Sequence, residues 1–223
     1  MKKIFLQFNK AFTLAEVLIT LVIIGVIAAL TIPNVINNTK KQEYVSKLKK
    51  AYSTLAQVTN TIIFEDGTPR ASYGGWATGP INVFTMYKKH LSSAKECNVG
   101  ANIPDCLSQI QNGKQFKCLN GVDCWRPANP NLRSLILADG TQVLFEISVD
   151  NNCTLVKGNT SNVCYMMIVD VNGAKAPNQI GRDVFMFNIK EDGLHPAGCE
   201  RTGVTCSDFN CTCKVLQESA MNY

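Results

Sequence analysis

At 223 residues the chain is long enough for one well-buried core or two small ones, and its length favours a single folded domain with added segments. Charged residues make up only 17% of it and the mean hydropathy is +0.01, apolar enough to direct attention to a membrane segment. The net charge of +5 shrinks to 19 basic against 17 acidic residues once residues 1–11 are set aside. That excess is too small to argue for nucleic acid, and no basic stripe with interleaved aromatics makes up for it.

Residues 1–11 are short and basic, with Lys2, Lys3 and Lys10. From Phe12 the chain reads FTLAEVLITLVIIGVIAALTIP, and from Val17 to Ile32 it has no charge at all. With Phe12 and Leu14 the apolar run reaches about 20 residues, enough to cross a hydrocarbon core of about 30 Å at about 1.5 Å per residue. A cleaved signal peptide has a shorter apolar core and a small-residue cut site after it, whereas this run passes directly into a further helical pattern. The apolar segment is therefore expected to be retained. Glu16 stands out within it, because a carboxylate in hydrocarbon is costly unless paired or neutralised.

The basic leader ending in a small residue, followed by Phe12-Thr13-Leu14-Ala15-Glu16-Val17-Leu18-Ile19, resembles the N-terminus of type IV pilins and type II secretion pseudopilins. The resemblance implies cleavage by a prepilin peptidase between Ala11 and Phe12 and N-methylation of Phe12. The family usually has Gly before the cut, and Ala11 departs from that while staying small. It also implies that Glu16 meets the new N-terminal amine of a neighbouring subunit, so that burial of each charge is offset by the other. Gly25 and Pro33 match the family too, where the segment between them can unwind on assembly. The chemistry agrees, since Gly is a weak helix former and Pro33 lacks a donor and crowds the preceding turn, so a bend or break is expected there.

The implied partners are other pilin or pseudopilin subunits, the prepilin peptidase/N-methyltransferase, an inner-membrane assembly platform and membrane lipid. The implied location is a single pass of the bacterial inner membrane with the C-terminal domain in the periplasm, and in assembled form a periplasmic or cell-surface filament. Flanking charge alone argues the other way, because Lys40, Lys41, Lys47, Lys49 and Lys50 follow the span. The cysteines, which need an oxidising compartment, overrule that count.

Beyond Pro33 the apolar positions Tyr44, Leu48, Ala51, Tyr52, Leu55, Val58 and Ile62 recur at three and four residues and predict an amphipathic helix. Glu65-Asp66-Gly67-Thr68-Pro69 stops it, Gly74 to Pro80 reads as loop, and a short helix is expected over Val83–Leu91. Residues 92–131 read as irregular. Strands are expected at Ser134–Ala138, Thr141–Ser148, Cys164–Val171 and Asp183–Lys190, the first two joined by an Asp139-Gly140 turn, and a closing helix over Val215–Tyr223. The division is a leader at 1–11, an assembly helix at 12–33, its amphipathic continuation at 34–64 and a cysteine-rich domain at 65–223. The fold class is α+β: a long N-terminal helix on an antiparallel sheet of about four strands, with disulfide-rich loops.

Ten cysteines, Cys97, Cys106, Cys118, Cys124, Cys153, Cys164, Cys199, Cys206, Cys211 and Cys213, all lie between residues 97 and 213, and none lies in the first 96 residues. An even, clustered set points to disulfides. Cys97 with Cys106 and Cys118 with Cys124 are the first local pairings to try, though spacing leaves connectivity open. Cys211-x-Cys213 with His195 also admits a zinc reading, the less favoured one in an exported domain.

The stretch DVNGAKAPNQIGRDVFMF, Asp170–Phe187, is similar to a pattern in globular domains of bacterial pilin-like proteins. Asp170, Asn172 and Asp183 offer hard oxygens for calcium, and major pseudopilins use a calcium loop; a tight turn at Asn172-Gly173 explains the same residues. No nucleophile elbow, phosphate loop or H-E-x-x-H helix is present, so no enzyme is expected. His90 reads as solvated and His195 as a turn residue. Two function classes remain: a polymerising structural subunit, and a membrane-tethered or filament-tip binding protein such as an adhesin, DNA-uptake or secretion-substrate receptor.

Overall fold

A computed structural model describes residues 12–67, 69, 80–98, 116–125, 133–146, 153–157, 160–199 and 211–221. The chain divides into two units, Met1–Lys40 and Lys41–Tyr223. Helix α1, Leu14–Asp66, runs through both and contains Pro33. It is uninterrupted there, so the expected break is not found. Proline withdraws only one backbone donor, and a single missing bond leaves the helix continuous.

In the second unit, α1 presents Tyr44, Leu48, Ala51, Leu55, Val58 and Ile62 to the core, at the spacing read from the sequence. A second helix, α2, covers Pro80–His90. The strands are β1 (Ser93–Asn98), β2 (Phe116–Lys117), β3 (Asp123–Trp125), β4 (Arg133–Leu137), β5 (Gln142–Glu146), β6 (Leu155–Lys157), β7 (Thr160–Val163), β8 (Tyr165–Asp170), β9 (Val184–Lys190) and β10 (Gly193–Pro196). A last helix, α3, covers Cys211–Glu218, starting a turn earlier than expected.

The main sheet is antiparallel with six strands in the order β1-β4-β5-β8-β9-β10, where about four were expected. The two additional strands are the edges. Ser93–Asn98 is polar and Gly193–Pro196 is short, with Gly and Pro, so neither shows the alternation that marks an inner strand. The stretch read as irregular also holds the β2-β3 hairpin. Residues 74–79, read as loop, lie outside the described residues, and Pro80 opens α2.

Register places Leu135, Val143, Val169 and Phe185 in one row, and Phe145, Met167 and Phe187 in the next. These rows face the helices. Tyr52 of α1 stacks on Phe187 with ring centroids 5.7 Å apart, and Phe84 and Tyr87 of α2 meet Phe145 at 5.8 and 5.3 Å. Leu144, Met166, Ile168, Val184 and Met186 point to the opposite face, where they form a second cluster with Phe116, Val163, Ile180 and Ala197. Burial on both faces explains why β8 and β9 read as nearly continuous apolar runs.

One polar pair lies inside the helix layer. The Thr59 hydroxyl donates to the Leu55 carbonyl at 2.7 Å, so the Tyr87 phenol must be the donor in its bond to Thr59 Oγ1. Replacing Leu48, which is wholly buried, by Ala should cost about 2–5 kcal/mol, whereas Gln57→Ala on the exposed side of α1 should stay within about 0.5 kcal/mol. Urea unfolding of the full chain in detergent measures both.

Candidate functional site

The site is built around the first turn of α1. Thr13 precedes the helix, and its carbonyl accepts the first intrahelical bond, from the Val17 N–H, at 3.3 Å. Glu16 Oε2 accepts from the Thr13 N–H at 2.9 Å and from the Thr13 hydroxyl at 2.8 Å, while Thr13 Oγ1 accepts from the Glu16 N–H at 3.3 Å. This is a reciprocal capping box, Thr13-x-x-Glu16, with an acid at the positive end of the helix dipole. In the sequence Glu16 stands out by its charge, whereas the role of Thr13 shows only in the T-x-x-E spacing.

Every large apolar side chain from Phe12 to Ile36 is exposed. The most apolar 18-residue window of α1 has a mean hydropathy of 2.6, and none of it is buried, so the helix is long and apolar enough to cross a membrane. Its hydroxyls turn inward on their own backbone: Thr20 Oγ1 donates to the Val17 carbonyl and Thr31 Oγ1 to the Ile27 carbonyl, both at 2.9 Å. Such internal satisfaction is what a hydrocarbon solvent demands. Among the described residues, and apart from the helix's own backbone, nothing lies within 4 Å of where a Cβ on Gly25 would stand, so no close packing there calls for Gly25.

A second cluster lies in the loop from β8 to β9. Asp170 and Asp183 are wholly buried. Asp183 Oδ1 accepts from the Gln179 N–H at 2.7 Å, and its Oδ2 accepts from the Asn178 N–H at 2.9 Å and from Asn172 Nδ2 at 3.1 Å. Asp170 Oδ1 accepts from the Asn172 N–H at 3.0 Å. Asn172 Nδ2 also donates to Tyr44 Oη and to the Ala176 carbonyl, both at 3.3 Å. The structure thus brings together all three residues of the calcium reading, with the Asn172 Oδ1 buried and without a hydrogen-bond partner among the described residues, and with the Asp183 oxygens engaged by N–H groups. The acceptors converge on an amide nitrogen, and the carboxylate oxygens take N–H groups. Among the described residues no three of His, Cys, Asp and Glu group to hold a metal.

Residues 7–32 match the family described as Prokaryotic N-terminal methylation motif. The chain carries a prepilin-type methylation motif. That motif, with the long helix on an antiparallel sheet, is consistent with the pilin and pseudopilin family, whose members are generally non-enzymatic. It implies processing by a prepilin peptidase, and with the apolar helix it suggests membrane anchoring or a secreted filament. No curated protein and no solved structure matches the chain.

The prepilin motif is joined to a domain stapled by Cys153–Cys164 and Cys199–Cys213. Cys97, Cys118 and Cys211 are disulfide-bonded as well, and no described cysteine is free. With Cys211 and Cys213 both oxidised, no thiolate is left there for zinc. Cys106, Cys206 and the side chain of Cys124 lie outside the described residues, and so do the pairings of Cys97 with Cys106 and of Cys118 with Cys124. His195 lies in β10, with Nε2 2.8 Å from Asp192 Oδ1. His90 is largely covered rather than solvated, its Nε2 3.4 Å from Glu65 Oε2, and it lines a recess of about 420 Å³ with Lys50, Thr54, Ser92, Asp139 and Thr141.

Burial pushes the Asp183 carboxyl up to about 6 and outweighs the N–H bonds that favour its charge; burial and the neighbouring Asp183 raise Asp170 well above the carboxylate range. Both folded values lie above the unfolded value of about 3.9, so the folded state binds more protons between them. The stability this contributes is complete below about pH 3.9 and is lost as pH rises through about 6. Glu65 acts oppositely at lower pH, since the hydrogen bond from Lys89 holds it below the carboxylate range. The thermal midpoint should therefore be a few degrees higher at pH 5 than at pH 7.5, and Asp183→Asn should flatten that slope. A calorimetric pH series measures both.

Proposed function

We propose that this chain is a structural subunit of a type IV pilus-like or type II secretion pseudopilus filament, cut between Ala11 and Phe12, methylated on the Phe12 amine and polymerised through residues 12–33. The observation that carries the reading is the prepilin-type motif at residues 7–32, which runs into an exposed apolar segment, residues 12–33, whose one acid is Glu16. A tethered binding domain has no use for a carboxylate inside its anchor. A filament subunit does.

Cleavage makes Phe12 the first residue and its amine a cation. A carboxylate left alone in hydrocarbon is costly, and so is an ammonium, so two neighbouring subunits lower both costs by placing one against the other. Thr13 holds Oε2 of Glu16 and thereby sets the direction of the carboxylate, leaving Oε1 to meet the Phe12 amine of the next subunit. The pairing fixes axial register, while the apolar surface from Val17 to Ile32 exchanges lipid for the same surface of other subunits.

Intact mass and N-terminal sequence of the membrane-extracted protein, with and without a co-expressed prepilin peptidase, test the processing step. The expected product begins at methylated Phe12 and retains the apolar helix; a chain still starting at Met1, or cut after the apolar run, removes the basis of the reading. Glu16→Val keeps the helix apolar and should be cut normally, yet abolish filaments recovered by shearing.

A further inference from the structure

We propose that residues 33–40 form a hinge, a helical linker that exchanges with extended backbone because neither an apolar solvent nor a protein core holds it. From Asn34 to Thr39 every residue is an amide or β-branched: Asn34, Val35, Ile36, Asn37, Asn38 and Thr39. All six belong to the weaker helix formers, the β-branched ones through lost rotamer freedom and the Asn side chains through competition for the backbone. Pro33, just before them, lacks the N–H that would close the preceding turn.

Tertiary packing, the usual remedy for weak propensity, does not reach these residues. All of 33–40 are exposed. Their side-chain hydrogen bonds among the described residues are local, from Asn34 Nδ2 to the Leu30 carbonyl and from Thr39 Oγ1 to the Val35 carbonyl at 2.9 Å, a type of back-bonding that bends helices. The flanks differ on both counts. Upstream, Ala28-Ala29-Leu30 are strong formers within the uncharged apolar run. Downstream, Lys41 Nζ donates to the Met221 carbonyl at 3.1 Å, and Tyr44, Val45 and Leu48 enter the core.

The family resemblance points to Gly25–Pro33 as the segment that unwinds; the composition of this chain and its lack of contacts place the weak turns after Pro33. Extending eight residues from about 1.5 to about 3.3 Å each adds on the order of 14 Å of reach, so the folded unit could move without loss of its own core or of the assembly helix. The inference stands apart from cleavage at Ala11 and from polymerisation.

Hydrogen–deuterium exchange on the full chain in detergent micelles tests it. Amides of 34–40 should exchange on the order of a hundredfold faster than those of 44–62, which lie in the packed half of α1. A quadruple variant, Asn34→Ala, Asn37→Ala, Asn38→Ala and Thr39→Ala, should slow exchange over 34–40 by roughly tenfold or more, with 44–62 unchanged as the check that the fold is intact. Protection over 34–40 equal to that over 44–62, or an exchange rate there that the quadruple variant leaves unaltered, overturns the hinge.

Discussion

The carboxylate of Asp183 is the point on which the folded unit depends. It draws the N–H groups of Asn178 and Gln179 and the amide of Asn172 onto one centre, closing the loop from β8 to β9 into a rigid block. Each edge of the block then engages a different element. Asn172 reaches Tyr44 on α1. Gln179 Nε2 donates to the Cys118 carbonyl at 2.6 Å, the Lys117 N–H donates to the Asn178 carbonyl, and the Lys117 carbonyl accepts from the Ile180 N–H. A Cβ on Gly173 would stand 2.7 Å from the Gly140 carbonyl oxygen, and one on Gly181 would stand 2.8 Å from Cys211 Sγ. Both glycines also have positive φ, so no other residue serves there without strain. Helix, hairpin, β4-β5 turn and α3 thus share one buried anchor, whose desolvation the N–H bonds offset in part.

Helix α1 answers to two environments. As far as Ile36 its large apolar side chains are exposed and its hydroxyls are turned back onto the backbone; from Tyr44 one stripe is buried and the remaining positions are mostly polar or charged. The lysines after the span, which by count alone argued for the opposite orientation, have work within the folded unit. Lys41 bonds the Met221 carbonyl, Lys49 the Ser219 hydroxyl and Lys50 the Asp139 carboxylate. A charge engaged by its own domain is a poor guide to topology, which gives the flank count a physical reason to mislead here.

Much of the inner sheet was legible because its strands are apolar and end in Gly-containing turns. Val143 and Phe145, and the run from Tyr165 to Val169, announce themselves by composition, and Asp139-Gly140 marks the hairpin. The edges were not legible. Ser93–Asn98 has no apolar alternation because an edge strand is paired on one side only, and its register shifts between Ser93 and Lys95. Of the candidate site, Glu16 was visible as a charge in an apolar run and Thr13 was visible only as a spacing. For Asp170, Asn172 and Asp183 the sequence shows hard oxygens and a turn, but residue types do not reveal which donors the fold brings to those oxygens.

By itself the sequence determined the apolar run of residues 12–33, its one acid Glu16 and the motif around it, since hydrophobic length, charge and a local i, i+3 capping pair all lie within a few turns of chain. It likewise determined which face of α1 is buried, because a 3.6-residue period is a local property. Only the tertiary structure decided that the sheet has six strands, that its second face is covered, and that Asp183 binds amides. Those outcomes rest on partners distant in sequence, such as Lys117 beside Gln179 and Tyr44 beside Asn172, and no local pattern encodes a contact whose two halves are separated by most of the chain.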